Sequence, residues 1–227
     1  KGTVPRSERT SVLIDTSPDL REQLLSAKVK RLDAVLYTHE HADQTHGIDD
    51  LRAIAYRMRE KIPVYTNAYT QEFLRERFGY CFEKPEGRIH PPILELMPAV
   101  TGGQTIAING PGGGLEIDVL GLSHGPTPVL GFKFAKQAVY TPDVHEIDKE
   151  TLESLDGPAI WILDALRYNA SPAHAHADKA LAWAAKTRTG NIILTNMHVD
   201  LDYATLQSEL PGNHIVGYDG LTATALL

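Results

Sequence analysis

The chain holds one cysteine, no long apolar run and no surplus of positive charge, and each of these shortages removes a class of protein. Cys81 stands alone among 227 residues, so an internal disulfide framework is excluded. Flanked by Tyr80 and Phe82, it reads as a packing residue rather than a nucleophile. No stretch reaches the roughly 18 consecutive apolar residues of a membrane-spanning helix. The opening Lys1-Gly2-Thr3-Val4-Pro5-Arg6 is not of signal-peptide type, and a cytoplasmic setting is expected. A formal charge of −7 argues against an extended nucleic-acid partner, which normally calls for a basic face. The stretch Gly110-Pro111-Gly112-Gly113-Gly114 lacks the Gly-Lys-Ser/Thr ending of a nucleotide-binding loop and reads as a connector. Repeats and low-complexity tracts are missing as well.

What is present can bury one sizeable core. With 42% hydrophobic residues and no long linker, a single domain over residues 1–227 is the natural expectation. Strands are expected at residues 11–15, 34–37, 62–65, 115–140, 160–164, 191–195 and 214–217. Helices are expected at 18–26, with Leu20, Leu24 and Leu25 on one side, at 49–60, with Leu51, Ile54, Ala55 and Met58 inward, and at 67–78. Three more are expected near 148–154, 176–188 and 202–209. Residues 83–92 and 101–114, rich in Gly and Pro, read as loops. Interleaved strands and helices with a β-rich middle predict an α/β (α+β) fold of two packed sheets with helices outside.

The most informative stretch is Thr38-His39-Glu40-His41-Ala42-Asp43-Gln44-Thr45-His46-Gly47, directly after the apolar strand at 34–37. On extended chain leaving a strand, His39 and His41 point the same way and Asp43 continues that side. Two imidazoles and a carboxylate converging from one loop are donors that zinc, manganese and iron accept. Isolated surface histidines are common, but three such groups in five residues at a strand end mark a metal site.

This stretch resembles the H-x-H-x-D-H signature of the metallo-β-lactamase superfamily, and three later segments resemble its remaining motifs in order. These are Gly121-Leu122-Ser123-His124-Gly125, Ala138-Val139-Tyr140-Thr141-Pro142-Asp143 and Ile192-Ile193-Leu194-Thr195-Asn196-Met197-His198. The resemblance implies the four-layer αββα sandwich of that family. It also implies that His39, His41 and His124 hold a first divalent ion, that Asp43 and His198 hold a second, and that Asp143 bridges them. One or two ions, zinc or manganese, would activate water and polarise a phosphoryl or carbonyl oxygen. Gln44 departs from the pattern, since relatives carry histidine there. A neutral amide oxygen is a weaker zinc ligand than imidazole and suits harder ions, so a weakened second site is expected. His46 could substitute, though relatives often place a non-ligand there. The opening of the chain is also compressed: Thr3-Val4-Pro5-Arg6 resembles the end of the family's opening hairpin, so the N-terminal part is either shortened or incomplete. With Cys81 alone, the cysteine-based structural zinc site of some relatives cannot be built.

A second informative stretch runs from Arg167 to Asp178, after the strand at 160–164 and before a helix. Relatives that cleave phosphodiesters place in this loop a histidine that protonates the leaving oxygen. His176, in the spacing His-Ala-Asp, is the closer match and His174 the second candidate; with Asp43 they form the expected catalytic group. The alternative is that both histidines simply cap the following helix. Asp164 and Asp178 are candidates to orient the rings, and Arg167 to meet a phosphate. His90, His145 and His214 read as solvated. The chain is most similar to the PhnP-like phosphodiesterases, with the tRNase Z group beside them. The similarity implies a hydrolase of small cyclic phosphates or nucleotide esters; a homodimer is compatible with it. Two alternatives stay open: an RNA 3′-processing endonuclease, and a metal-binding scaffold with weakened catalysis.

Overall fold

The computed structural model describes residues 5, 8–84, 86, 87 and 89–225, so Thr3, Val4 and Arg6 of the opening lie outside the described residues. The chain divides into two compact units. One comprises residues 1–101 with 107–116, the other residues 102–106 with 117–227.

The first unit carries a four-stranded parallel sheet in the order β1 (Val12–Ile14), β2 (Ala34–Leu36), β3 (Ile62–Tyr65), β4 (Leu94–Leu96). Every residue of β2 is buried, as expected for an inner parallel strand covered on both faces. Around the sheet run α1 (Leu20–Ser26), α2 (Ala42–Thr45), α3 (Arg52–Met58) and α4 (Ala68–Phe82). Leu20, Leu24, Leu51, Ile54 and Ala55 join Val35, Tyr37 and Val64 in one core. Leu25, expected on one side with Leu20 and Leu24, is 62% exposed. The helix expected at 49–60 is a 3₁₀ turn, Ile48–Leu51, followed by α3, which closes at Arg59 in the left-handed region (φ 59°). Helix α4 continues past its expected end at 78 through a kink at Phe78 (φ −128°, ψ 27°), beside Gly79. Strand β4 was not expected; three residues are too few to show a period.

The second unit is built on a seven-stranded sheet in the order β11-β10-β9-β8-β7-β6-β5, whose β5–β6 turn region is counted with the first unit. The strands are β5 (Thr105–Gly110), β6 (Gly113–His124), β7 (Thr127–Phe134), β8 (Ala138–Thr141), β9 (Ile160–Asp164), β10 (Asn191–Thr195) and β11 (His214–Val216). Strand β7 pairs antiparallel with β6 and β8, and β8, β9, β10 and β11 run parallel. Residues 101–114, expected as a loop, contain β5 and the start of β6. The run Thr105-Ile106-Ala107-Ile108 is a strand whose flanking glycines mask it, and Gly113 takes the left-handed turn position (φ 95°). Helices α5 (Lys149–Ser154), α6 (Ala177–Ala184) and α7 (Tyr203–Glu209) complete the unit. Helix α6 stops short of 188 because the chain turns there, with Thr187 Oγ1 bonded to the Ala184 carbonyl at 3.0 Å. Trp161, fully buried, anchors this core and donates Nε1–H to Thr141 Oγ1 at 2.8 Å. Among the described residues no helix is long and apolar enough to cross a membrane.

Candidate metal centre

In the first unit the carboxyl ends of β1 and β2 build one cluster. Asp15, in the left-handed region (φ 56°), accepts from Thr38 N–H at 2.8 Å and from Thr38 Oγ1–H at 2.9 Å. Thr38 Oγ1 in turn lies 2.9 Å from His39 Nδ1. This chain of bonds holds the fully buried His39 ring through Nδ1, the arrangement that orients a ligating imidazole through its other nitrogen. The His39 and His41 rings meet edge to face, centroids 4.5 Å apart. Asp43, expected on extended chain, instead sits in the first turn of α2, because the backbone turns helical after His41 (φ −61°, ψ 156°). Its Oδ2 accepts from Gln44 Nε2 at 3.0 Å, so the residue that departs from the family pattern grips the neighbouring candidate ligand. The loop's bend needs Gly47: a Cβ there would lie 2.1 Å from the Ser17 carbonyl oxygen. His46 packs against the Phe78 ring, centroids 5.9 Å apart.

In the second unit three neighbouring parallel strands end together. The register pairs Thr141 with Leu163, and Asp164 with Thr195, so Asp143, Asp164 and Asn196 emerge side by side although up to 53 residues separate them in sequence. Asp143 (φ 41°) and Asn196 (φ 64°) are both left-handed. Asp164, fully buried, accepts from Val144 N–H at 3.0 Å, and its Oδ2 lies 3.0 Å from His174 Nδ1. Burial pushes the Asp164 carboxyl above the usual carboxylate range, and the bond to His174 pulls against that rise. His174 Nδ1 also stands 3.9 Å from Asp143 Oδ1. The His174 ring meets the His124 ring edge to face at 4.5 Å. His124, the last residue of β6, has Nδ1 2.6 Å from the Ala173 carbonyl oxygen, which assigns Nδ1 as the protonated nitrogen and Nε2 as the donor for a ligand. One ligand atom from each of Asp143, Asp164 and His174 falls within 4.8 Å of the others. Asp143 and the His124 imidazole, whose Nδ1 is held by a backbone carbonyl, are buried donors that fit a divalent cation.

The remaining expected residues are not members of this group of three. His176 is the N-terminal cap residue of α6, but its side chain makes no capping bond, so helix capping does not account for it. No hydrogen bond, ion pair or ring contact of the His176 side chain is found among the described residues. His198, whose side chain is 41% exposed, turns its Nδ1 toward Asp200, 3.1 Å from Oδ2. Arg167 has its Nε buried without a hydrogen-bond partner among the described residues. His145 is not simply solvated, since its Nδ1 is buried, while His90 is exposed as expected. The supporting pair Asp15 and Thr38 was not anticipated, although a threonine immediately before the first ligand-type histidine was the available signal. Asn196 was also missed, because a strand-end asparagine looks like any turn residue.

The scaffold is a mixed α/β fold of two sheets with histidines and aspartates at strand ends, and comparison with known proteins identifies the family. Residues 10–197 match the model of the Beta-lactamase superfamily domain. The chain belongs to this superfamily of hydrolases, the metallo-β-lactamase superfamily, and has its fold, with a relative in the PhnP family. A solved diphosphatase from the PhnP family is 31% identical, covers 92% of this chain and 77% of its own, and superposes with a TM-score of 0.82. Zn²⁺-bound PqqB from Methylobacterium extorquens shares the fold at 14% identity (98% and 85% covered, TM-score 0.72). So does the short form of human tRNase Z, also at 14% (95% and 88% covered, TM-score 0.65). A curated relative, the octanoyltransferase of Porphyromonas gingivalis (strain ATCC BAA-308 / W83), is 33% identical over 217 residues. That match takes in 93% of this chain but 42% of the relative, so the chain spans about two-fifths of the length of the curated relative it matches.

Proposed function

We propose that the protein hydrolyses a phosphodiester or pyrophosphate bond in a small substrate, a cyclic phosphate or nucleotide ester, with His174 as the proton donor. The observation that carries this reading is the Asp164–His174 pair beside Asp143, with the His124 ring against it. The likeness to a PhnP-family diphosphatase at 31% identity supports the same substrate class. His39, His41, His124, Asp143, Asp43 and His198 are the proposed metal-holding residues, for one or two zinc or manganese ions. When bound, such ions supply Lewis-acid stabilisation of a phosphoryl oxygen and a more acidic water. The protein's own groups do the rest. Asp164 engages His174 Nδ1, which leaves Nε2 as the atom that hands a proton to the departing oxygen. Water adds to phosphorus and the ester P–O bond breaks as the His174 imidazolium gives its Nε2 proton to the leaving alcohol or phosphate; the proton lost by the water restores the imidazolium. Arg167 is the proposed partner of a substrate phosphate oxygen. His176, favoured by sequence spacing, is given the lesser role because no such carboxylate partner accompanies it.

A substrate panel tests the reading: bis-p-nitrophenyl phosphate, ribose and nucleotide cyclic phosphates, nucleoside diphosphate esters, a precursor tRNA, a β-lactam and an octanoyl thioester. Turnover of the small phosphate esters is the expected result. Turnover confined to the thioester would instead transfer the chemistry named in the Porphyromonas relative to this chain. Turnover confined to precursor tRNA would favour the RNA-processing alternative, and none with any metal would favour a binding scaffold.

A further inference from the structure

We infer that Asn196 is a positioning residue of the metal centre, acting through its side-chain amide and not merely as a residue tolerant of a turn. Its Nδ2 donates to Asp143 Oδ1 and lies 3.3 Å from Asp164 Oδ1 and 3.4 Å from His174 Nδ1. An amide NH₂ carries two hydrogens, enough to serve both carboxylates at once. The single hydrogen on the His174 Nδ1 goes to Asp164 Oδ2, the shorter contact at 3.0 Å. Asp164 is thereby supplied on both oxygens, by Val144 N–H and His174 on Oδ2 and by Asn196 on Oδ1. Two carboxylates this close and this buried repel each other, and a donor bonded to both reduces that repulsion while fixing the side-chain torsion of Asp143. The backbone agrees. Asn196 and Asp143 are held in the left-handed region, φ 64° and 41°, at the ends of β10 and β8, where such strain persists only if surrounding contacts impose it.

The inference rests on Asp143 being a metal ligand, as proposed above, and not on the identity of the substrate. Asn196→Gly separates its two possible roles, because glycine accepts the left-handed backbone but has no amide. Zinc and manganese affinities of the metal-stripped protein are measured by competition with a chromophoric chelator, alongside its unfolding midpoint. The expected result for Asn196→Gly is a 10- to 100-fold weaker affinity, about the loss seen when support for a ligand is removed, with a midpoint close to that of the unaltered protein. Asn196→Ala should lose a similar factor in affinity and also lower the midpoint, because it adds backbone strain. Should the glycine variant fail to fold, the alanine variant reads the same affinity. Unchanged affinity in either variant would overturn the inference. Asp143→Asn serves as the control. If it keeps the metal, the ligand assignment itself fails; if it loses the metal while Asn196→Gly does not, only the role of Asn196 fails.

Discussion

His174 and His176 sit two positions apart in one loop, yet their surroundings differ in kind. His174 has a buried carboxylate at 3.0 Å and the His124 ring at 4.5 Å, whereas His176 begins a helix without even a capping bond. His174→Ala is expected to slow hydrolysis of esters with poor leaving groups by roughly 10²–10⁴-fold. The loss should be smaller for p-nitrophenyl esters, whose leaving group needs no proton. His176→Ala should change turnover by far less, and steady-state kinetics on both substrate types reads the difference. If the two variants behave alike, neither is the proton donor. A second expectation concerns Gln44, which donates to Asp43 at 3.0 Å, while His198 engages Asp200 at 3.1 Å. Gln44 thus offers a neutral amide where the family pattern has an imidazole, so a second ion has one strong donor fewer. Metal analysis should find close to one tightly held zinc ion per chain, with a second taken up on adding manganese. Gln44→His should raise zinc affinity at the second position. Two tight zinc ions in the unaltered protein would show that Gln44 is no handicap.

The elements that carry the site are short, and one backbone approach limits how they connect. Gly47 ends the loop after α2, where an added Cβ would meet the Ser17 carbonyl oxygen at 2.1 Å and Leu20 Cβ at 2.8 Å. The nearest atom is backbone, which cannot swing aside as a flexible side chain would. Gly47→Ala should therefore destabilise the protein by about 1–3 kcal/mol and should weaken metal binding, because α2 carries Asp43. Denaturant unfolding and chelator competition measure the two effects separately. Helix α4 supplies the lone cysteine, which is fully buried. Burial pushes the Cys81 thiol up to about 12, with the nearby Asp49 carboxylate adding to the rise. In the folded protein at neutral pH the thiol should not react with a disulfide reagent, and it should react at once in denaturant. Rapid labelling of the native state would contradict its reading as a packing residue.

At the scale of the whole molecule, each unit has an apolar core of its own. In the second, Trp161 is fully buried beside Leu163, Ala180 and Trp183. Its removal deletes both a large, fully buried side chain and the partner of Thr141 Oγ1. Trp161→Ala should cost about 3–5 kcal/mol, from the lost transfer energy and the cavity left behind. Chemical denaturation with an unchanged slope and a lower midpoint is the expected signature. Saturating divalent metal should raise the unfolding midpoint of the unaltered protein, since a ligand that binds only the native state stabilises it by mass action. Loss of that rise in His124→Ala would tie it to the proposed ligand set.

Much of this was legible in the chain alone. The strands at 62–65, 160–164 and 191–195 match β3, β9 and β10 to the residue, because apolar β-branched runs bounded by turn residues leave little else for them to be. The four histidine- and aspartate-bearing motifs, and with them the family, were equally readable, since ligand chemistry restricts the side chains that can serve. Strand β5 was hidden by its glycines, and α2 by being one turn long. The different surroundings of His174 and His176 depend on something local spacing does not encode. Residues two apart in an irregular loop are equivalent by sequence. What distinguishes them is Asp164, brought beside His174 and Asp143 by the parallel register of β8, β9 and β10. Asn196 belongs to the same case, an ordinary strand-end residue until that register sets its amide against two buried carboxylates. Residue chemistry and local periodicity are properties of neighbours along the chain; the pairing of one carboxylate with one imidazole is a property of strands that meet only once the sheet has formed.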